Sequence, residues 1–308
     1  MTILSGINRI FAAFLLSLTL LISACGPGGS DGSSNEFERR EMSWRKSRES
    51  AMRDSTSWLT IAGLFWLEQG RNSFGSSGDN QITLPRHSAP AYAGELILQN
   101  GRVHLKAAGG AGITLRGKPV SSADLISDAG GEPDRFQMGG LRMWIIDRGG
   151  RKALRVRDFR AKRFSEFEKL SFYPPDPDYR VTGRFVPHDT AKSIMLSTVA
   201  GTETEIASPG KVIFSLKNKE LALVLLEGAE KSYFIIFRDE TSGNETYGAC
   251  RYMSAGKSGE RKVELNFNHA VNPPCAYTPY ATCPLPPPEN ILPVRIEAGE
   301  KKYPGGGH

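Results

Sequence analysis

A mainly β chain of two domains, preceded by one short helix, is the fold class this sequence predicts. Three observations carry the expectation. The 308 residues include 33 glycines and 19 prolines, a supply of turn formers that suits many short strands. Beyond Tyr179 short apolar runs follow one another with no crossover helix between them, so neighbouring strands must pair antiparallel, as a meander closed into a barrel or stacked as a sandwich. Only Glu36 to Asp54 has the composition of a helix, and its apolar residues Phe37, Met42, Trp44 and Met52 make a ragged face suited to a domain surface. The formal charge of +6 fits an anionic partner and falls short of a nucleic-acid-binding profile.

The elements follow in order. Arg9 precedes an apolar run, Ile10 to Ile22, which is short for a membrane span and right for a signal-peptide core. The run ends in Ile22-Ser23-Ala24-Cys25, which resembles the lipobox of bacterial lipoproteins. That resemblance implies a signal peptide with its lipobox over residues 1–25, cleaved before the cysteine, and lipidation, as by palmitate, at Cys25. The glycines and serines of 26–35 suit a flexible tether from an acyl anchor to a folded domain. Gly26 stands where lipoproteins kept at the inner membrane usually carry aspartate, so the implied address is the periplasmic side of the outer membrane. Residues 36–172 then form the expected N-terminal domain. Its run Trp58–Leu67 reads as a buried strand by length and aromatic content.

From Gly70 to Val120 the order Phe74-Gly75-Ser76, Asn80-Gln81-Ile82-Thr83-Leu84, Tyr92-Ala93-Gly94 and Gly112 to Val120 is similar to a forkhead-associated domain. The resemblance implies a β-sandwich. Ser76, Tyr92 and Arg116 stand where that family carries its phosphate-reading groups, which argues against a phosphothreonine peptide as partner. Further on, Arg148, Arg151, Lys152, Arg155, Arg157, Arg160, Lys162 and Arg163 concentrate positive charge. The alternation Leu154-Arg155-Val156-Arg157 sets arginines on one strand face. Such a face is either an anion-binding surface, for lipid headgroups or acidic envelope polymers, or a solvated row paired with Asp147, Asp158, Glu166 and Glu168; the solvated row is the more common outcome.

Tyr173-Pro174-Pro175-Asp176-Pro177-Asp178-Tyr179 breaks the periodicity and opens the second domain, 173–308. Its strands are expected at Val181–Val186, Ile194–Ser197, Gly210–Leu216, Glu220–Leu226, Ser232–Asp239, Thr246–Met253 and Lys262–Phe267, with Leu292–Ala298 closing the set. Seven prolines lie between Asn272 and Asn290. They remove ladder donors and preset φ, so this stretch is an ordered loop held by side-chain hydrogen bonds, a clasp. With Phe237 to Gly243, Glu245-Thr246-Tyr247-Gly248 and Ala298-Gly299-Glu300-Lys301, it resembles the family catalogued as domain of unknown function 1684. The block Trp58–Leu67 looks like the same family's N-terminal signature. The family implies no activity.

No nucleophile elbow, zincin histidine pair or nucleotide-binding glycine loop occurs in the sequence. The five histidines are scattered, so no metal and no cofactor is expected. What remains is a polar set around the clasp: Arg238, Asp239, Thr241, Glu245, Tyr247, Arg251, Asn268, Asn272, Tyr277 and Tyr280. It is either a structural network or a pocket with convergent polar groups and aromatic walls. Cys275 and Cys283, eight positions apart in an exported chain, are a candidate disulfide; Cys250 is left as an odd core thiol. The leading expectation is a membrane-anchored binding or assembly module of the cell envelope with an anionic ligand. The alternative is a hydrolase-like enzyme using Asp239 or Glu245 as acid or base in a cleft of the C-terminal domain, assisted by Tyr247 or Tyr280.

Overall fold

The computed structural model describes residues 31–304 other than 87, 230 and 231. The apolar leader, Cys25 and the first residues of the expected tether lie outside the described residues. Among the described residues no helix is long and apolar enough to cross a membrane. Helix α1 (Asp31–Met52) begins inside the stretch expected as tether. Its apolar face is as ragged as the sequence suggests: Met52 is buried and Met42 is exposed. Polar groups therefore do much of the docking, among them Arg45 to the Tyr173 carbonyl, Arg48 to Glu300 and Glu49 to the Leu170 amide.

Eleven strands make the first body: β1 (Ile61–Trp66), β2 (Gly70–Gly75), β3 (Ile82–Thr83), β4 (Gly94–Gln99), β5 (Arg102–Ala107), β6 (Thr114–Leu115), β7 (Lys118–Pro119), β8 (Ser122–Leu125), β9 (Phe136–Met138), β10 (Leu141–Arg148) and β11 (Arg151–Asp158). They form a five-stranded sheet, β3-β2-β4-β5-β8, and a six-stranded sheet, β1-β11-β10-β9-β6-β7. Phe74, Leu96 and Leu105 of the first meet Phe136, Ile145, Leu154 and Val156 of the second in one apolar core, which makes this body the β-sandwich the resemblance implied. The block Trp58–Leu67 departs from a single buried strand. It opens as a 3-10 turn, Trp58–Thr60, capped by the Ser57 hydroxyl, and only then extends. Strand β1 sits at a sheet edge, and its later residues are half-buried. The β10–β11 hairpin turns on Gly149 and Gly150, both with φ in the left-handed range, 60° and 78°, the backbone a tight two-residue turn needs.

The second body is a closed antiparallel barrel of β12 (Arg180–Ser197), β13 (Glu203–Leu216), β14 (Lys219–Glu227), β15 (Ser232–Phe237), β16 (Arg251–Lys257) and β17 (Lys262–Asn266). Long, bent β12 pairs with both β13 and β17 and so closes the ring. Leu292–Ala298 is consequently not a strand, contrary to expectation, because no free edge remains for it. It runs extended, burying Leu292, Val294, Ile296 and Ala298 in the barrel core, where they meet Phe237, Phe267 and Leu223. The first half of the expected strand Thr246–Met253 is likewise irregular, and pairing starts at Arg251. A short helix, α2 (Lys162–Ser165), lies in the connection between the two bodies.

Candidate functional site

The polar set singled out in the sequence is gathered at one end of the barrel, where most of its members bond to protein. Asp239 and Arg251 are a fully buried ion pair at 3.1 Å. The Asp239 carboxylate also accepts from the Ile296 amide at 2.7 Å and from the Thr241 hydroxyl. Arg251 donates to the Ile296 and Ala298 carbonyls. Burial pushes the Arg251 guanidinium down from its ordinary value even with Asp239 beside it. Glu245 pairs with Arg295 and accepts from the Tyr173 hydroxyl, and the Arg295 bond holds its carboxyl below the usual range. Asn268 spans Asp176, donating to its carbonyl at 2.8 Å and accepting from its amide at 3.0 Å. Asn272 donates its amide to Glu300 and its side chain to the Lys301 carbonyl. The Tyr277 hydroxyl donates to Glu300 at 2.8 Å, and that of Tyr247 to the Cys275 carbonyl. Arg238 sits at the end of β15, bound through its backbone to Asn290 and Leu292.

Two residues that sequence reasoning missed complete this clasp. Glu300 is wholly buried and takes bonds from Arg48, Asn272 and Tyr277. Asn290 reaches the Val224 and Ile236 carbonyls and accepts from the Val224 amide. Neither had a signal beyond its neighbours in the motif, since the partners are far off in sequence. Cys275 and Cys283 lie side by side as thiols, with the Cys275 amide donating to Cys283 Sγ at 3.2 Å. A side-chain hydrogen bond between the two thiols lowers the Cys275 thiol and raises that of Cys283; burial raises the third thiol, Cys250. At the sandwich loops, Ser76 is half-buried, Tyr92 is exposed and Arg116 is tied to Asp134 at 2.7 Å.

A concavity with both polar and aromatic walls lies elsewhere, where the outer face of the six-stranded sheet meets the clasp. It has a volume of about 460 Å³, within the range of small-molecule sites. Antiparallel register sets Trp144 opposite Arg155 and Arg142 opposite Arg157. One sheet face therefore presents Trp144, Ile146 and Arg148 of β10 beside Arg155 and Arg157 of β11. The opposite wall is the clasp itself, from Pro274 and Thr278 to Cys283 and Pro284, with the Tyr252 ring. Trp58 and Arg135 stand at the rim.

Within the basic run Arg151, Arg160 and Lys162 are exposed and Lys152 pairs with Asp147 at 2.5 Å, as a solvated row would have them. Arg155 and Arg157, by contrast, are not on a solvated face. Arg155 is 93% buried, because the proline-rich loop covers it and offers the Tyr280 carbonyl to its Nη1. Arg157 Nη1 donates to the Ser57 carbonyl and the Thr60 hydroxyl, both at 2.8 Å. Arg157 and Arg135 both lie over the Trp144 ring, at 5.6 and 5.7 Å from its centre. Among the described residues Arg148 pairs with Asp128 at 2.8 Å and Arg135 with Glu132, whereas Arg155 and Arg157 have no carboxylate within ion-pair distance. Burial, then neighbouring arginines, pushes both guanidiniums down to about 10. They stay charged at neutral pH, and Asp128 and Asp54 act on them only from beyond ion-pair distance.

A second polar constellation lies on the sandwich. Ser122 Oγ lies 2.6 Å from His104 Nε2, and His104 Nδ1 lies 2.7 Å from Asp124, in the order of a serine-hydrolase relay. These groups sit on the open face of β5 and β8, with the Asp124 side chain 84% exposed. Water competes for every bond there, and the adjoining depression touches Asp124 but neither His104 nor Ser122.

Residues 165–301 match the family described as protein of unknown function DUF1684. The chain belongs to that family. The match covers the barrel and the clasp, and the block Trp58–Leu67 lies outside it. The chain is also similar to an uncharacterized protein of Haloarcula marismortui whose structure was solved by NMR: 32% identity over 46% of this chain and 80% of that one, with a TM-score of 0.39. An FHA domain studied for phosphothreonine-dependent interactions is 19% identical over 30% of this chain and 92% of its own, with a TM-score of 0.23. None of the curated proteins matches the chain.

Proposed function

We propose that this protein is a lipid-anchored binding or assembly module of the bacterial cell envelope, and that its ligand is an anion held between β11 and the proline-rich clasp. The carrying observation is the pair Arg155, buried, and Arg157, half-buried: both charged, without a carboxylate in ion-pair contact among the described residues, and at the wall of this cavity. Charge taken out of water without a partner is costly, and a ligand that brings the partner recovers that cost on binding. The anchor rests on the sequence Ile22-Ser23-Ala24-Cys25 and the glycine-serine stretch after it; it would put the site on the periplasmic side of the outer membrane. The reading involves no nucleic acid, no cofactor and no phosphothreonine peptide.

The test is to purify the full chain from envelopes in mild detergent and identify what travels with it by native mass spectrometry. An anionic species should accompany the wild type and be lost from an Arg155→Gln/Arg157→Gln double variant that still unfolds cooperatively. A cargo that is neutral, or that survives in the double variant, sinks the reading. A fatty-acid analogue fed to the cells should label the wild type and not Cys25→Ser; equal labelling removes the anchor. Asp239 and Glu245, the acid and base of the hydrolase alternative, are each bonded to an arginine, and no further observation favours that alternative.

A further inference from the structure

The cavity lends itself to a narrower statement than "anionic", resting on the reading just given. We infer that it recognises a phosphoryl group in its dianionic form, as carried by a phosphomonoester, through the side-on edges of Arg155 and Arg157 together.

Three features lead there. The first is which nitrogens are free. Arg155 spends Nη1 on the Tyr280 carbonyl, and Arg157 spends Nη1 on the carbonyls of Ser55 and Ser57 and the hydroxyl of Thr60. Among the described residues Nε and Nη2 of both arginines have no acceptor, yet none of the four is a sealed, unpartnered atom. Those two nitrogens form the edge that grips an oxyanion with two parallel bonds. Each guanidinium is thus locked at one end and open at its recognition edge. The second feature is spacing. Positions 155 and 157 are two apart on one strand, so the side chains leave the same face roughly 6.6 Å apart along it. Two forks would crowd onto the two oxygens of one carboxylate, whereas a phosphomonoester spreads them over three terminal oxygens. The third feature is charge. The lining carries four arginines and one aspartate. Arg148 is matched by Asp128 and Arg135 by Glu132 at the rim, which leaves two positive charges. A dianion balances two; a carboxylate or a phosphodiester balances one.

The organic part of such a ligand has apolar wall to lie on. Trp58, Ile61, Ile146 and the ring of Tyr252 line the same space, and 460 Å³ is far more than a bare phosphate fills. A phosphorylated small molecule and the headgroup of a phosphomonoester lipid share this chemistry, and the test separates them.

Binding to the full chain in nanodiscs of neutral lipid would be measured by calorimetry at pH 5.0 and 7.5, with phenyl phosphate, methyl phenyl phosphate and benzoate as probes. The second ionisation of a phosphomonoester lies near pH 6, while both arginines remain charged across this range. Phenyl phosphate should therefore bind about tenfold more tightly at pH 7.5 than at 5.0. The two monoanions should bind at least tenfold more weakly at pH 7.5 and show no such pH dependence. Arg157→Gln should cut phenyl phosphate affinity by at least tenfold. Arg155→Gln should do the same, and Arg155→Lys should recover only part, because the charge returns without the fork; melting temperature serves as the folding check. Phosphatidic acid doped into the nanodiscs, binding more tightly than phenyl phosphate with the same arginine dependence, assigns the ligand to the membrane. The reverse order assigns it to solution. If benzoate and the diester match phenyl phosphate and all three need the arginines, the dianion inference is overturned and the anion site stands. If no anion binds, or binding ignores both arginines, the two fall together.

Discussion

Asp239 and Arg251 show at single-residue scale why a buried charge in a sequence does not announce its purpose. Both follow or open apolar strands, which signals burial and a need for partners. Whether those partners are protein or ligand depends on Ile296 and Ala298, some fifty positions onward, and the structure supplies them. Arg155 shows the reverse. Its alternation was legible, but the loop that buries it starts more than a hundred residues later, and its carbonyl contact at Tyr280 is a separation of 125. Composition alone therefore favoured a solvated row where the fold makes a cavity. The ion pair carries its own prediction. Removing one partner of a buried pair leaves the other uncompensated, at about 3–5 kcal/mol. Asp239→Ala should lower stability by that order in chemical unfolding. Asp239→Leu/Arg251→Met, which leaves no orphan charge, should cost clearly less than either single change. A double variant as unstable as the sum of the singles would mean that hydrogen bonds to the backbone of Ile296 and Ala298, rather than charge pairing, dominate.

At the scale of elements, helix α1 is the least self-sufficient part, since its apolar face is ragged and its docking is polar. Glu41 accepts from Asn266 at 2.9 Å and approaches His269 Nε2 at 2.9 Å, while Trp44 stacks on the His269 ring at 4.1 Å. Burial lowers the His269 imidazole from its ordinary value, with Glu41 pulling it back up and Arg180 and Arg45 pushing it down. The folded value thus lies below the unfolded one, which is about 6.5. Between the two the unfolded chain binds the extra proton, so stability is full above about pH 6.5 and falls as pH drops through the folded value. Melting temperature measured from pH 7.5 down to 5.0 should fall, and His269→Gln should flatten part of that fall. An unchanged slope in His269→Gln would show that Glu41, rather than the ring, sets the acid response. The helix itself was legible from composition; its seat was not, because His269, Asn266 and Glu300 come from the far end of the chain.

For the whole molecule, strand count and antiparallel pairing were legible because period-two alternation and turn residues are local signals. Barrel closure was not, since it depends on one long strand pairing at both edges. That is also why Leu292–Ala298, alternating like a strand, fills the barrel instead of extending its wall. The same long-range logic joins the two bodies. The Thr278 hydroxyl of the clasp donates to the Ile61 carbonyl of β1 at 3.1 Å, and both groups are buried. Arg155 of β11 reaches the Tyr280 carbonyl two residues on. These bonds hold the cavity walls together, so the proposed ligand site and the coupling of the two bodies share one set of residues. Thr278→Val keeps the shape and removes the hydroxyl, leaving the Ile61 carbonyl unpaired at about 1–3 kcal/mol. Calorimetry of the wild type should show one cooperative transition. In Thr278→Val that transition should broaden or divide into two, because the lost bond joins the bodies rather than stabilising either alone. If the variant instead melts in one sharp transition at a lower temperature, the bond belongs to the stability of a single cooperative unit, and the coupling between bodies must come from α1 and its ion pair between Arg48 and Glu300.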